Sequence, residues 1–287
     1  MALTGIKQLV DAELEGRVRR YTWRKTPSQA TTAKVWFDLS MSPGNPPPKY
    51  WFDAPPAIAK AVSQSSDGGI FHGANTSPQA QYLRLITSQT ATVTSLPLTL
   101  VLCDYLLYYP SIDDSTTDPQ TLDNTVTLPR YTDGEGVQVI AVSVAGRTGG
   151  QTFSFSYTNS DGVSGRTSQT VQQNTSAAIG SIVTSEGATN LCGGNPFIGL
   201  QDGDTGVRSI ESVTMNGADV GLFTLILVKP LAQTTIKEIT APYEKDFFLL
   251  SSQVTEIKDD AYLNFLCLPQ GTLAATALIG DLKVVWN

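Results

Sequence analysis

The stretch from Pro97 to Ala145 limits most severely what this chain can become. Its first part, Leu98 to Tyr109 (LTLVLCDYLLYY), is too rich in Leu, Val and Tyr to leave both faces in water. It reads as a buried strand. Pro110 is expected to stop it. A polar connection follows, with acids at Asp113, Asp114, Asp118 and Asp123 and turn formers at Ser115 and Pro119. Leu128-Pro129-Arg130-Tyr131 then leads into the turn signal Asp133-Gly134-Glu135-Gly136, and a second buried strand begins at Val137. A connection of roughly 25 residues between two core strands is usually functional or disordered. This one carries Pro, Leu and Tyr among its acids, which predicts an ordered surface excursion that touches something.

From Ala80 onward the pattern is β. Strands are expected at Tyr82–Ile86, Leu98–Tyr108, Val137–Val144, Ser181–Thr184, Val207–Met215, Gly221–Val228, Phe247–Leu250, Tyr262–Leu268 and Leu282–Trp286. Phe153-Ser154-Phe155-Ser156-Tyr157 alternates strictly, the mark of a half-buried strand. Asp161-Gly162 joins it to Thr167–Gln172 as a hairpin, and Asn216-Gly217 predicts a second hairpin between Val207–Met215 and Gly221–Val228. Leu273–Ile279 is a weak helix candidate. Many short strands with close turn signals imply a mainly β chain, an antiparallel β-sandwich or jelly-roll-like body over 79–287, as one or two packed sandwiches.

Residues 1–78 differ in character and are expected to form an extended N-terminal arm containing a short helix. Thr4 is the expected cap of that helix, with Ile6, Leu9, Val10 and Leu14 at helical spacing and Gly16 as its stop. Arg17, Arg19, Arg20, Arg24 and Lys25 then interleave with Tyr21 and Trp23. Such a pattern binds nucleic acid through phosphates and stacking in some proteins. With no nucleic-acid motif nearby, it reads instead as an extended arm or strand whose basic face lies on an acidic protein surface. Ser40 to Pro56 (SMSPGNPPPKYWFDAPP) holds six prolines in seventeen residues and must run extended. Tyr50, Trp51 and Phe52 in that segment read as anchors into a neighbouring subunit, with core packing the competing reading.

Charge supports two ends with different partners. The net charge of −7 divides into +4 over residues 1–50 and −11 over the rest. Charged residues make up 16% of the chain, against about 25% in an ordinary soluble domain, and short polar side chains fill the gap. Three cysteines, Cys103 and Cys267 in apolar strands and Cys192 in a turn, argue for free thiols rather than a disulfide framework. No apolar run is long enough to span a membrane, and no basic-then-apolar leader opens the chain. Assembly in a reducing cytoplasm is expected, without secretion or membrane contact.

A search for chemistry finds little. His72 is the only histidine, and no G-x-S-x-G elbow accompanies it, so a catalytic triad is not expected. Asp202-Gly203-Asp204-Thr205-Gly206 spaces its carboxylates like a Ca²⁺ loop but lacks the rest of that pattern; it reads as a turn. Asp113, Asp114 and Asp118 form another acidic group better read as loop. Gly146, Gly149 and Gly150 lack the strand-to-helix setting of a phosphate loop. No catalytic residue, metal or cofactor is expected.

Several runs resemble a family of tailed-bacteriophage virion proteins: Trp23-Arg24-Lys25-Thr26-Pro27-Ser28-Gln29-Ala30, then Trp36-Phe37-Asp38-Leu39-Ser40-Met41-Ser42-Pro43-Gly44-Asn45-Pro46. Asp118-Pro119-Gln120, Leu128-Pro129-Arg130-Tyr131-Thr132-Asp133-Gly134 and Gly206-Val207-Arg208-Ser209 extend the likeness along nearly the whole chain. The resemblance implies a head-associated structural component without catalytic residues. The expected function is capsid decoration, a cement protein on the virion surface that binds the major capsid protein. Arg17 to Lys25 and Tyr50-Trp51-Phe52 would be the contacts, in a homo-oligomer with a trimer favoured. A tail, baseplate or head-fibre component with a receptor- or glycan-binding β domain is the alternative.

Overall fold

A computed structural model describes residues 3, 5–66, 68–183, 194–250 and 254–287. Among them, nine strands have six residues or more: β1 (Val18–Lys25), β2 (Gln81–Thr90), β3 (Leu98–Asp113), β4 (Gln138–Ser143), β5 (Thr152–Asn159), β6 (Val207–Met215), β7 (Leu222–Ile236), β8 (Tyr262–Leu268) and β9 (Leu278–Trp286). One helix, α1 (Ile6–Leu14), precedes them. All strand pairs in the three sheets are antiparallel, so the chain is mainly β, as its alternating sequence implies.

The central sheet runs Phe37–Asp38, β8, β3, β7, β4. Its long partners β3 and β7 span two separate cores. The leading half of β3 puts Leu98, Leu100 and Leu102 against Trp23, Leu83, Ile86, Leu282 and Val284 of a second sheet, ordered Tyr243–Asp246, β2, β9, β1, Gly44–Asn45. The trailing half puts Leu106, Leu107, Tyr109 and Ile112 against Phe153, Phe155, Tyr157, Ile210 and Val213 of the third sheet, ordered Arg166–Thr167, β5, β6, Gln120–Thr121. Two sandwiches thus share one sheet. The opposite face of that sheet, including Val101, Cys103 and Tyr105, is covered by Trp36, Met41, Trp51, Val62 and Ile182 from irregular segments.

Bulges make this sharing work. Leu227 pairs with Leu107 but Val228 with Tyr105, so Leu106 is the extra residue, and both Leu106 and Leu107 enter the same core. A second slip lies between Tyr109 and Ile112 and contains Pro110. Pro110 therefore does not stop the strand as expected: it sits where the ladder already skips, with Ser111 at φ 63°, and pairing resumes at Ile112. Pro230 in β7 likewise borders a slip.

Other expectations need correction. β1 pairs along its full length with β9, from Val18↔Val285 to Lys25↔Leu278. Residues 18–25 are thus a sheet strand, not part of an extended arm, and the division at 78/79 separates neither sheets nor cores. Asn216-Gly217 is no hairpin turn; it carries the chain from β6 in the third sheet to β7 in the central one. Phe247–Leu250 forms a turn after Tyr243–Asp246, and the helix candidate at 273–279 is a turn running into β9. The Asp161-Gly162 hairpin does form, with Arg166–Thr167 and Val171–Gln172 both paired to β5. The acidic excursion after β3 is ordered, and what it touches is its own body: Gln120–Thr121 pairs with β6, and Leu122 and Leu128 enter the core. Thr4, Thr184 and Cys192 lie outside the described residues; α1 begins after Gly5.

Candidate interaction surface

Extended backbone points successive side chains to opposite sides, and this sorts the aromatic triplet. Trp51 is fully buried, whereas Tyr50 is 62% and Phe52 57% exposed. The Trp51 indole lies parallel to the Tyr105 ring, with centroids 5.6 Å apart, and its Nε1 donates to Asp38 Oδ2 at 2.6 Å. Its carbonyl accepts from Thr224 Oγ1 at 2.8 Å. Trp51 is therefore a core residue, and its expected role as a partner anchor is corrected. Pinned by it, Tyr50 and Phe52 project to the other side and border a recess of about 160 Å³ with Phe37, Met41, Val144 and Ile179.

Beneath the recess lies a buried polar cluster. Asp38 is fully buried and accepts from Ser40 N and Tyr105 OH at Oδ1 and from Ser40 Oγ and Trp51 Nε1 at Oδ2. Burial raises its pKa despite these donors. Lys25, 1% exposed, donates to the carbonyls of Ser42 at 3.1 Å and Pro46 at 2.9 Å. Loss of solvent lowers its pKa to about 8, opposed by the negative charge of Asp38. The two together fix the path of residues 38–46, from which the proline-rich segment departs. Lys25 thus holds its own chain, not a partner.

The remaining basic and aromatic residues of β1 and its approach are also largely committed within the molecule. Arg17 pairs with Glu15 at 2.9 Å, Arg19 donates to Ala74 O and lies 4.5 Å over the Trp286 ring, and Arg20 pairs with Asp281 at 2.7 Å. Asp281, the partner of Arg20, lies on the neighbouring strand β9. Tyr21 meets Phe71 edge-on at 6.0 Å, and Trp23 is buried against Phe265. Arg24 is exposed.

Polar groups that drew other readings are structural. His72 is buried, its Nδ1 2.8 Å from Gln81 Oε1 and its Nε2 3.1 Å from Ala261 O, and burial lowers its pKa. Asp204 receives Arg166 through Nε and Nη2 at 2.9 and 3.0 Å, with Tyr157 and Asn159 as further donors, so its turn is closed by a guanidinium. Asp114 is buried and accepts from Gln173 Nε2. Among the described residues, no three His, Cys, Asp or Glu side chains converge as metal ligands. No described helix is long and apolar enough to cross a membrane. Cys103 and Cys267 are buried free thiols.

Sequence reasoning assigned no role to Asp38, nor to the bidentate pair of Asp104 with Arg130 (2.7 and 2.8 Å). The one signal for the latter was an acid inside the apolar run LVLCDYLL, which is costly to bury without a cation or other donors.

No protein-family model matches this chain, and no curated protein does. Solved structures that align with it include the infectious bursal disease virus VP2 subviral particle, at 8% identity and TM-score 0.17, covering 94% of this chain and 80% of that one. T=1 particles derived from infectious bursal virus align at 10% identity and TM-score 0.16, over 94% of this chain and 78% of theirs. These weak neighbours are viral capsid proteins.

Proposed function

We propose that this chain is a structural component of a bacteriophage particle that decorates and stabilises the capsid shell by binding the major capsid protein. The observation that carries this reading is the exposure of Tyr50 and Phe52 on a segment pinned by buried Trp51. Exposed aromatics on a pre-ordered backbone suit an interface hot spot, because little backbone freedom remains to be lost on binding. The internal commitment of Arg17, Arg19, Arg20 and Lys25 supports a protein partner over nucleic acid. The resemblance of the runs at 23–30 and 36–46 to virion proteins supports a head location, and both runs contribute to the walls or base of the recess.

Purified protein is to be co-sedimented with tail-less heads lacking it, and separately with isolated tails. Saturable binding to heads, lost in Tyr50→Ala/Phe52→Ala with the fold retained, is the expected result. Wild-type binding by that variant removes the recess from the interface. Binding to tails alone replaces decoration by the receptor-binding alternative.

A further inference from the structure

Helix α1 carries a second apolar surface, on its solvent side. Leu9 and Ala12 bury its inner face against Tyr82 and Val285. Ile6, Val10 and Leu14, at successive four-residue steps, form an outer stripe that is 65%, 50% and 82% exposed. Phe248 packs on the inner cluster, and the next two residues, Leu249 and Leu250, are 58% and 74% exposed. Glu13 ties the helix to its sheet through Lys283 at 2.7 Å, so the stripe is held rigidly outward.

We infer that this surface is a self-association site that takes α1 of a second copy of the chain, antiparallel across a twofold axis at Val10. The stripe is symmetric about its own centre: Val10 meets Val10, Ile6 meets Leu14 of the second copy, and Leu14 meets its Ile6. The charges obey the same symmetry. Lys7 and Asp11 lie on one edge of the stripe, paired at 2.7 Å within the helix. Reversal about Val10 sets Lys7 of each copy within two residue steps, about 3 Å along the axis, of Asp11 on the other. Opposite charges therefore face each other twice, whereas a parallel twofold would carry the two Lys7–Asp11 edges to opposite sides of the seam, where neither meets the other. A lone helix pair covers less than the roughly 1,200 Å² of a stable interface. The dimer is accordingly a reversible one. Twofold symmetry replaces the threefold clustering expected from sequence, and the surface is distinct from the Tyr50–Phe52 recess.

Sedimentation velocity on the full chain, from low to high micromolar concentration, tests this. The wild type is expected to show a monomer–dimer equilibrium and Val10→Asp a self-association at least about tenfold weaker. Val10 is half-exposed, so the variant is expected to keep its melting temperature. In a Cys192→Ser background, Val10→Cys is expected to form a disulfide-linked dimer on mild oxidation, and Gln8→Cys, on the other side of the helix, to remain monomeric. A monomer at every concentration, a trimer, or a dimer indifferent to Val10→Asp overturns the inference.

Discussion

Trp51 donates its indole N–H to Asp38 at 2.6 Å, inside a cluster that also takes Tyr105 and Ser40. This bond joins the proline-rich segment to the central sheet and decides which of three consecutive aromatics face water. Trp51→Ala removes both a packed indole and one of Asp38's donors. A loss of about 3–5 kcal/mol in unfolding free energy is expected, the usual range for a buried Trp. Tyr50→Ala and Phe52→Ala are expected to stay within about 0.5 kcal/mol of wild type. Urea denaturation of the three variants checks the contrast, and equal losses would place all three in the core.

Lys25 gives the cluster a pH signature. A lysine lowered to about 8 keeps its proton less readily when folded than when unfolded. Below pH 8 both states are charged and the burial penalty is fully present. Between pH 8 and the ordinary lysine value the unfolded chain binds more protons, so stability rises with pH, by something on the order of 2 kcal/mol up to pH 10. Buried Cys103, Cys267 and Tyr109 have raised pKa values and act in the opposite direction as pH climbs. They are common to wild type and Lys25→Met, so the difference between the two stability curves isolates the lysine. A difference that stays flat from pH 7 to 10 would mean that the carbonyls of Ser42 and Pro46 hold Lys25 charged throughout.

The strands themselves were legible wherever alternation or an uninterrupted apolar run was long, as at Phe153–Tyr157 and Tyr262–Leu268. Breakers misled because their meaning is not local. Pro110 falls at a bulge that the facing strand creates, and Asn216-Gly217 turns the chain between sheets rather than back along one. Arg17 to Lys25 looked like an arm because its partner strand lies at the other end of the sequence. For the interaction surface, the sequence picked out Tyr50 and Phe52 but could not separate them from Trp51. Nothing in the triplet says that Asp38, thirteen positions earlier, waits for an indole N–H.

Asp204 provides the acid-side counterpart. Arg166 first, then Tyr157 and Asn159, hold its carboxylate at about 2, well below the usual value. A depressed carboxylate contributes stability that is complete above the unfolded value near 4 and is lost as pH falls through the folded value. Asp204→Asn is therefore expected to be less stable than wild type at neutral pH. The gap should narrow from pH 4 to pH 2 in thermal melts. A gap that persists unchanged at pH 2 would assign the effect to packing of the turn.

Asp104 and Arg130 pose the sharpest energetic question. Asp104 is fully buried in β3, and burial pushes its carboxyl up to about 6 even though Arg130 pulls the other way. The guanidinium, itself 7% exposed, also donates to the carbonyls of Val62 and Tyr105. Arg130→Ala strands a buried carboxylate and leaves two carbonyls without a donor, so a loss of about 3–5 kcal/mol is expected at pH 7. Replacing both partners by apolar residues of similar size removes the desolvation cost with the pair. Asp104→Leu/Arg130→Met is accordingly expected to be more stable than Arg130→Ala. Its remaining deficit would come from the Tyr262 N–H, which donates to Asp104 at 2.9 Å and loses its acceptor, and from the Val62 and Tyr105 carbonyls, which lose their donor. A double-mutant cycle in urea measures the coupling. If the double variant is as unstable as Arg130→Ala, the backbone bonds made by the pair, and not the stranded charge, dominate. Arg130 would then act chiefly as a clamp that ties the end of the excursion to Val62 and to Tyr105 of β3.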